Sequence, residues 1–175
     1  MKLILSLIAL SLPAAAYAYP ITGSISIDGT DSYTATAVSF QGAGNVGAGT
    51  STGSFASGFG AGCNGCVTLA RFSFVGLGAP VKVYDAIIGA VETTFTITSI
   101  SSEVIVGPFL NVAATGYATL TGFSQTPGVF EFSSQGGGGK TTFSATTIAS
   151  AVPEPASFAL LGIGLMAVGA IRRWV

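Results

Sequence analysis

The sequence predicts an all-β protein: an antiparallel β-sandwich or jelly-roll-like domain, flanked by an N-terminal signal-peptide helix and a C-terminal transmembrane helix. Three observations carry this reading. Short runs rich in Thr, Val, Ile, Phe and Tyr recur between turn residues, with apolar side chains at every second position. No convincing amphipathic helical pattern lies between residues 19 and 151. The two long apolar stretches without charge stand at the two ends of the chain.

The first end has three regions in order. Lys2 supplies a basic n-region, residues 3–12 an apolar stretch, and Pro13 breaks it ahead of Ala14-Ala15-Ala16-Tyr17-Ala18. This is the layout of a signal peptide at residues 1–18. Ala16 and Ala18 are small enough for the pockets of signal peptidase, which places the cut between Ala18 and Tyr19. Export through the Sec machinery is the expectation, so that residues 19–151 work beyond the cytoplasmic membrane.

Strands are expected at residues 21–28, 32–40, 67–75, 81–85, 91–100, 109–123, 129–133 and 141–148. In Ser24-Ile25-Ser26-Ile27, Arg71-Phe72-Ser73-Phe74 and Val129-Phe130-Glu131-Phe132 the alternation puts one face in a core and the other in water. Asp28-Gly29 and Thr126-Pro127-Gly128 read as turns, and residues 135–139 as a loose connection. Many short strands with short links favour a sandwich or jelly roll. Residues 41–62 are nearly all Gly, Ala, Ser and Thr and read as a long loop. The alternative is a glycine-tolerant pair of strands with Phe55 and Phe59 facing inward.

Composition restricts the chemistry. The 175 residues include no histidine, and 7% are charged, so the usual general base, proton shuttle and metal ligand is missing. Between residues 19 and 151, Asp28, Asp31, Asp85, Glu92, Glu103 and Glu131 stand against Arg71, Lys82 and Lys140. No basic patch is available to neutralise phosphates, and nucleic acid is not expected as a partner. No G-x-S-x-G elbow occurs, and a serine-histidine arrangement is impossible. Asp28 and Asp31 could offer two carboxylates to calcium but lack the further acidic residues of a calcium loop, so a solvated turn is preferred. The one tryptophan, Trp174, lies outside the β domain, which leaves a sugar-stacking platform unsupported.

Cys63-Asn64-Gly65-Cys66 has the C-x-x-C form of a redox pair, yet a strand follows it where a thioredoxin-like motif opens a helix. Asn64-Gly65 suits the centre of a tight turn that brings the two Cα atoms within about 7 Å. A structural disulfide between Cys63 and Cys66 is therefore expected in an oxidising compartment. Two cysteines without histidine do not make a zinc site. The expectation is a protein with no cofactor, no metal and no enzymatic activity.

The chain ends VPEPASFALLGIGLMAVGAIRRWV. Residues 157–171 carry no charge and would make a helix of roughly 22 Å, long enough to span only with help from its flanks. Arg172 and Arg173 resist crossing and place the C-terminus in the cytoplasm, with the β domain outside. Pro153 and Pro155 hold Val152 and Glu154 extended, so Glu154 is displayed on a stiff, unpaired strand above the bilayer.

This order of motif, apolar helix and arginines resembles the PEP-CTERM sorting signal of exopolysaccharide-producing Gram-negative bacteria. The residues that carry the resemblance are Pro153, Glu154 and Pro155, the helix with Gly162 and Gly164, and Arg172 with Arg173. The ending Trp174-Val175 departs from the usual run of basic residues. The resemblance implies recognition by exosortase, a multi-pass membrane enzyme thought to be a cysteine protease or transpeptidase, which removes the tail. A sortase signal would need an LPxTG-type motif, and a GPI signal a polar spacer. A permanent membrane anchor has the same apolar helix. A softer resemblance covers Gly116 to Phe123, Thr126 to Ser133 and Phe143 to Ala145, which look like the distal half of the extracellular bodies found in such proteins. It implies a β fold outside the cell and no catalytic residue. The expectation is thus an exosortase substrate that joins the cell surface, an extracellular matrix or a biofilm, with exopolysaccharide as a further candidate partner.

Overall fold

The computed structural model of the protein describes residues 19–135 and 141–150. The expected signal peptide, the sorting motif, the transmembrane helix and most of the connection at 135–139 lie outside them. Among the described residues ten strands form: β1 (Gly23–Tyr33), β2 (Ala37–Phe40), β3 (Gly44–Val46), β4 (Cys63–Leu69), β5 (Phe72–Ser73), β6 (Val81–Ile88), β7 (Val91–Val106), β8 (Phe109–Leu120), β9 (Thr126–Gln135) and β10 (Thr141–Ala149).

The all-β class is as expected, but the sandwich or jelly roll is corrected to a barrel. Strands β10, β9, β8, β7, β6, β4, β3 and β1 pair in that order, and β1 returns to β10 from Gly23↔Ala149 to Asp31↔Thr141. This closes an eight-stranded antiparallel barrel. Pairing the first long strand with the last removes the two edges that an open sheet would expose. Alternation with period two is common to sandwich and barrel and does not separate them. β2 and β5 extend the sheet beyond the end of β1, through Asp31↔Phe40 and Val38↔Phe72.

The barrel has two ends. The lower end holds Gly23, Leu120, Thr126 and Ala149; the upper end holds Asp31, Val106, Phe109, Gln135 and Thr141. Between them the interior is packed with aromatic rings. Tyr84, Phe95, Phe130, Phe132 and Phe143 stack in sequence at centroid distances of 6.5, 5.8, 6.5 and 5.5 Å. Each such pair contributes roughly 0.5–1.5 kcal/mol beyond area burial. Small residues make the room: Gly116 lies opposite Gly128 on β8 and β9. A Cβ at Gly116 would collide with the Thr96 carbonyl oxygen, and one at Gly128 would reach 3.2 Å from the Phe95 ring.

Several expected boundaries move. Asp28-Gly29 is not a turn but the middle of β1, where a Cβ on Gly29 would sit 2.7 Å from the Phe143 ring. Thr126-Pro127-Gly128 opens β9, with Pro127 near a strand end where a missing N–H is tolerated. β7 continues to Val106, and Gly107, at φ 57°, starts the two-residue turn into β8. Residues 41–62 are corrected from a loop to β3 plus two helical turns, Gly53–Phe55 and Ala56–Phe59. Phe55 and Phe59 are both fully buried. The segment is held by backbone bonds to the lower end of β1, from Thr52 N–H to Ser24 C=O (2.8 Å) and Ser54 N–H to Thr22 C=O (2.7 Å). Among the described residues no helix is long and apolar enough to cross a membrane.

Candidate functional site

Both exits from the barrel lie at its lower end. Tyr19 is exposed, its carbonyl accepts from the Ser124 N–H at 3.0 Å, and Pro20 bridges to Ser124. At the other exit β10 stops at Ala149, and Ser150 N–H reaches the Pro127 carbonyl at 3.4 Å. Ala16, Ala18, Pro153, Glu154, Pro155, Arg172 and Arg173 lie outside the described residues. The sorting motif thus follows the last barrel strand almost without a spacer.

Cys63 and Cys66 form a disulfide with their Cα atoms 5.9 Å apart. The pairs Gly44↔Val67 and Val46↔Cys63 show that β4 carries two extra residues across from β3, so Asn64-Gly65 makes a bulge in place of a free turn. Gly65, at φ 67°, donates its N–H to the Asn45 side-chain oxygen at 2.8 Å, and Asn45 donates in turn to Asp28 at 2.9 Å. The residues after Cys66 continue as β4, so no helix N-terminus supports a reactive thiolate.

Asp28 and Asp31 do not meet. Three positions apart on one strand, they face opposite sides: Asp28 is exposed and Asp31 is fully buried. Asp31 Oδ1 accepts from Thr141 Oγ1 at 2.5 Å and from Ser134 Oγ at 3.0 Å. Its Oδ2 has no hydrogen-bond partner among the described residues. The sequence reading passed over this buried cluster. The available signal was the inward parity of Ile25, Ile27 and Asp31, masked by the apparent turn at Gly29.

Outside the barrel wall, Lys82 pairs with Asp85 at 2.6 Å, and that bond raises the Lys82 ammonium above its usual range. Burial pushes the Tyr84 phenol strongly upward, so it stays neutral in the core. Two of the shallow surface grooves among the described residues bear on function. One of about 480 Å³ runs between Phe74–Leu77 and residues 98–103 of β7. The other, about 290 Å³, lies on the outer wall against Asn111, Glu131, Ser133, Ser144 and Thr146. Among the described residues no three His, Cys, Asp or Glu side chains come together as a metal site would require.

Residues 151–173 match the family model of the PEP-CTERM protein-sorting motif. Comparison with curated proteins and with solved structures returned no match.

Proposed function

We propose, from a chain that carries a PEP-CTERM protein-sorting motif at residues 151–173, that the β barrel is a structural or interaction module delivered to the cell surface or extracellular matrix. The motif supports export and sorting by an exosortase. The observation that carries the reading is the junction: the last barrel strand ends at Ala149, directly before the matched segment. By sequence, Pro153 and Pro155 fix two φ angles and favour extended conformations at Val152 and Glu154, the form that a processing enzyme reads most easily. The signal peptide brings the barrel across the membrane, the apolar segment at 157–171 retains it, and Arg172 with Arg173 set the orientation. Cleavage near Pro153, Glu154 and Pro155 then releases the barrel or passes it to a new attachment. In this reading the barrel performs no catalysis.

A second reading is a polysaccharide-binding module. The outer-wall groove favours it, since Asn111, Glu131, Ser133, Ser144 and Thr146 offer hydroxyl, amide and carboxylate groups suited to sugar hydroxyls. Retention of the processed protein on an exopolysaccharide column separates it from a purely structural role.

The test of sorting is the intact mass of the protein recovered from producing cells, with cell-associated and shed fractions measured separately. The wild type is expected to end near the Pro-Glu-Pro element, and a variant with Pro153, Glu154 and Pro155 all changed to alanine to keep its tail. A wild-type mass running to Val175 would mean a lasting anchor and end the exosortase reading.

A further inference from the structure

Asp31 is a carboxylate without a counter-charge among the described residues. It lies on the inward face of β1 and is fully buried, whereas the ion pair found among those residues, Lys82 with Asp85, stands outside the wall. A lone buried charge is costly, and a site built to hold one spreads donors over both oxygens. Here both donors crowd onto Oδ1, and Oδ2 has no hydrogen-bond partner among the described residues. The arrangement serves a held charge poorly and a reacting carboxyl well.

Three neighbouring strands build the cluster. Asp31 pairs with Thr141 across β1 and β10, and Ser134 stands on β9 opposite Phe143. Thr141 Oγ1 is 2.5 Å from Asp31 Oδ1 and 3.3 Å from the Asp31 main-chain carbonyl oxygen. Ser134 Oγ lies 2.9 Å from Thr141 Oγ1 and 3.0 Å from Asp31 Oδ1, so the three oxygens form a closed triangle. A hydroxyl oxygen held that close to one carboxyl oxygen is about 3–3.5 Å from the carboxyl carbon, the separation of a near-attack arrangement. Thr141 is β-branched, so few rotamers compete with this one. Two positions toward the lower end on β10 and β9, Phe143 and Phe132 stack at 5.5 Å and form an apolar floor beneath the cluster.

We infer that Asp31 and Thr141 condense to a side-chain ester that joins the first long strand of the barrel to its last. Thr141 Oγ1 bonds to Asp31 Cγ. Its proton passes to Ser134 Oγ, and Ser134 hands its own proton to Oδ1. With the one further proton that converts the carboxylate to the acid, Oδ1 leaves as water, and Oδ2 stays as the ester carbonyl. No oxidant or other reactant enters. The product has no charge to keep buried, and a neutral carbonyl without a partner is less costly than a charged oxygen without one. The chain has no histidine to act as general base, so the step is slow and follows folding. A freshly folded barrel holds the two side chains by their hydrogen bonds alone.

The bond forms where a cross-link constrains the chain most. The disulfide joins residues three positions apart, whereas Asp31 and Thr141 are 110 apart, and the entropy removed from the unfolded chain grows with the loop that is closed. The ester also locks the β1–β10 seam, the pairing that turns the sheet into a barrel.

The test uses protein recovered from producing cells, held folded for increasing times, then denatured and digested with trypsin. Between residues 19 and 150 the cleavable positions are Arg71, Lys82 and Lys140, so Asp31 and Thr141 leave on different peptides, one ending at Arg71 and one beginning at Thr141. Wild type is expected to accumulate a joined species, lighter by one water than the two peptides together, that hydroxylamine splits as it does esters. Thr141→Val should give separate peptides at every age. Thr141→Ser, which keeps the hydroxyl, should give the joined species, so wild type and Thr141→Ser decide the matter even where Thr141→Val does not fold. Ser134→Ala, shown to be folded by far-ultraviolet circular dichroism, should slow accumulation by about tenfold or more as its proton relay is lost. Wild-type peptides that stay separate at every age, or a joined species that persists in Thr141→Val, would overturn the inference, and an unchanged rate in Ser134→Ala would overturn the relay. The readout is the join between two barrel peptides, so failure of the sorting reading would not alter it.

Discussion

Asp31 and Thr141 meet across 110 residues of chain, whereas Pro153, Glu154 and Pro155 are consecutive. The barrel and the segment behind it store information in opposite ways. Each barrel strand is stable only because a distant strand closes on it: β1 needs β10, and the Phe95 ring needs glycine at position 128. The match at residues 151–173 rests on consecutive residues alone. Its content is a linear order of stiff motif, apolar run and basic pair, which a membrane enzyme and a bilayer can read in place. The difference teaches that damage to one region should leave the other's property intact.

The largest effect belongs to the aromatic stack. Phe130 contacts Phe72, Phe95 and Phe132 and is almost wholly buried, so Phe130→Ala should cost about 3–5 kcal/mol in denaturant unfolding of the barrel. The molecules that remain folded and exported should still end at the wild-type position by intact mass. A stable variant with an altered cleavage position would break the separation of the two regions.

Thr141→Val comes next. It removes one of the two donors to Asp31 Oδ1 while keeping a β-branched shape, and should cost about 1–3 kcal/mol because a buried carboxylate is left poorly satisfied. A melt unchanged from wild type would show that Ser134 alone suffices. The smallest effect is expected at the disulfide. Cys63 and Cys66 are three positions apart, and so short a loop removes little unfolded-state entropy. The double change to serine should fall at the low end of the roughly 0–5 kcal/mol range, measured by the same melt under non-reducing conditions.

How much of this was legible in the sequence follows from the same contrast. The sorting motif at residues 151–173 was recognisable because its signal is local and lies in consecutive residues. The alternation at Ile25, Ile27, Phe72, Phe130 and Phe132 named the β class and part of the core, since parity is also local. Barrel closure was not legible, because nothing near Ser24 or Ile148 announces that these two strands pair. Gly29 misled for a related reason: it reads as a turn residue, but its missing side chain serves the Phe143 ring from the last strand. Residues 41–62 misled because glycine and serine suggest a loop, while the order there comes from hydrogen bonds to Thr22 and Ser24 and from the burial of Phe55 and Phe59. The end of β7 could have been found, as Glu103-Val104-Ile105-Val106 followed by Gly107-Pro108 and Phe109 has the pattern of a hairpin.

The most direct measurement of the central claim, that body and address are separable, is a graft. Residues 151–175 are placed after an unrelated exported domain in the producing bacterium, and the intact mass of that domain is determined beside the same domain carrying alanine at positions 153, 154 and 155. The predicted result is a mass ending near the Pro-Glu-Pro element in the first and the full tail in the second. A passenger that keeps its tail in both, while the native chain is processed, would contradict the claim and make the barrel itself part of the sorting signal.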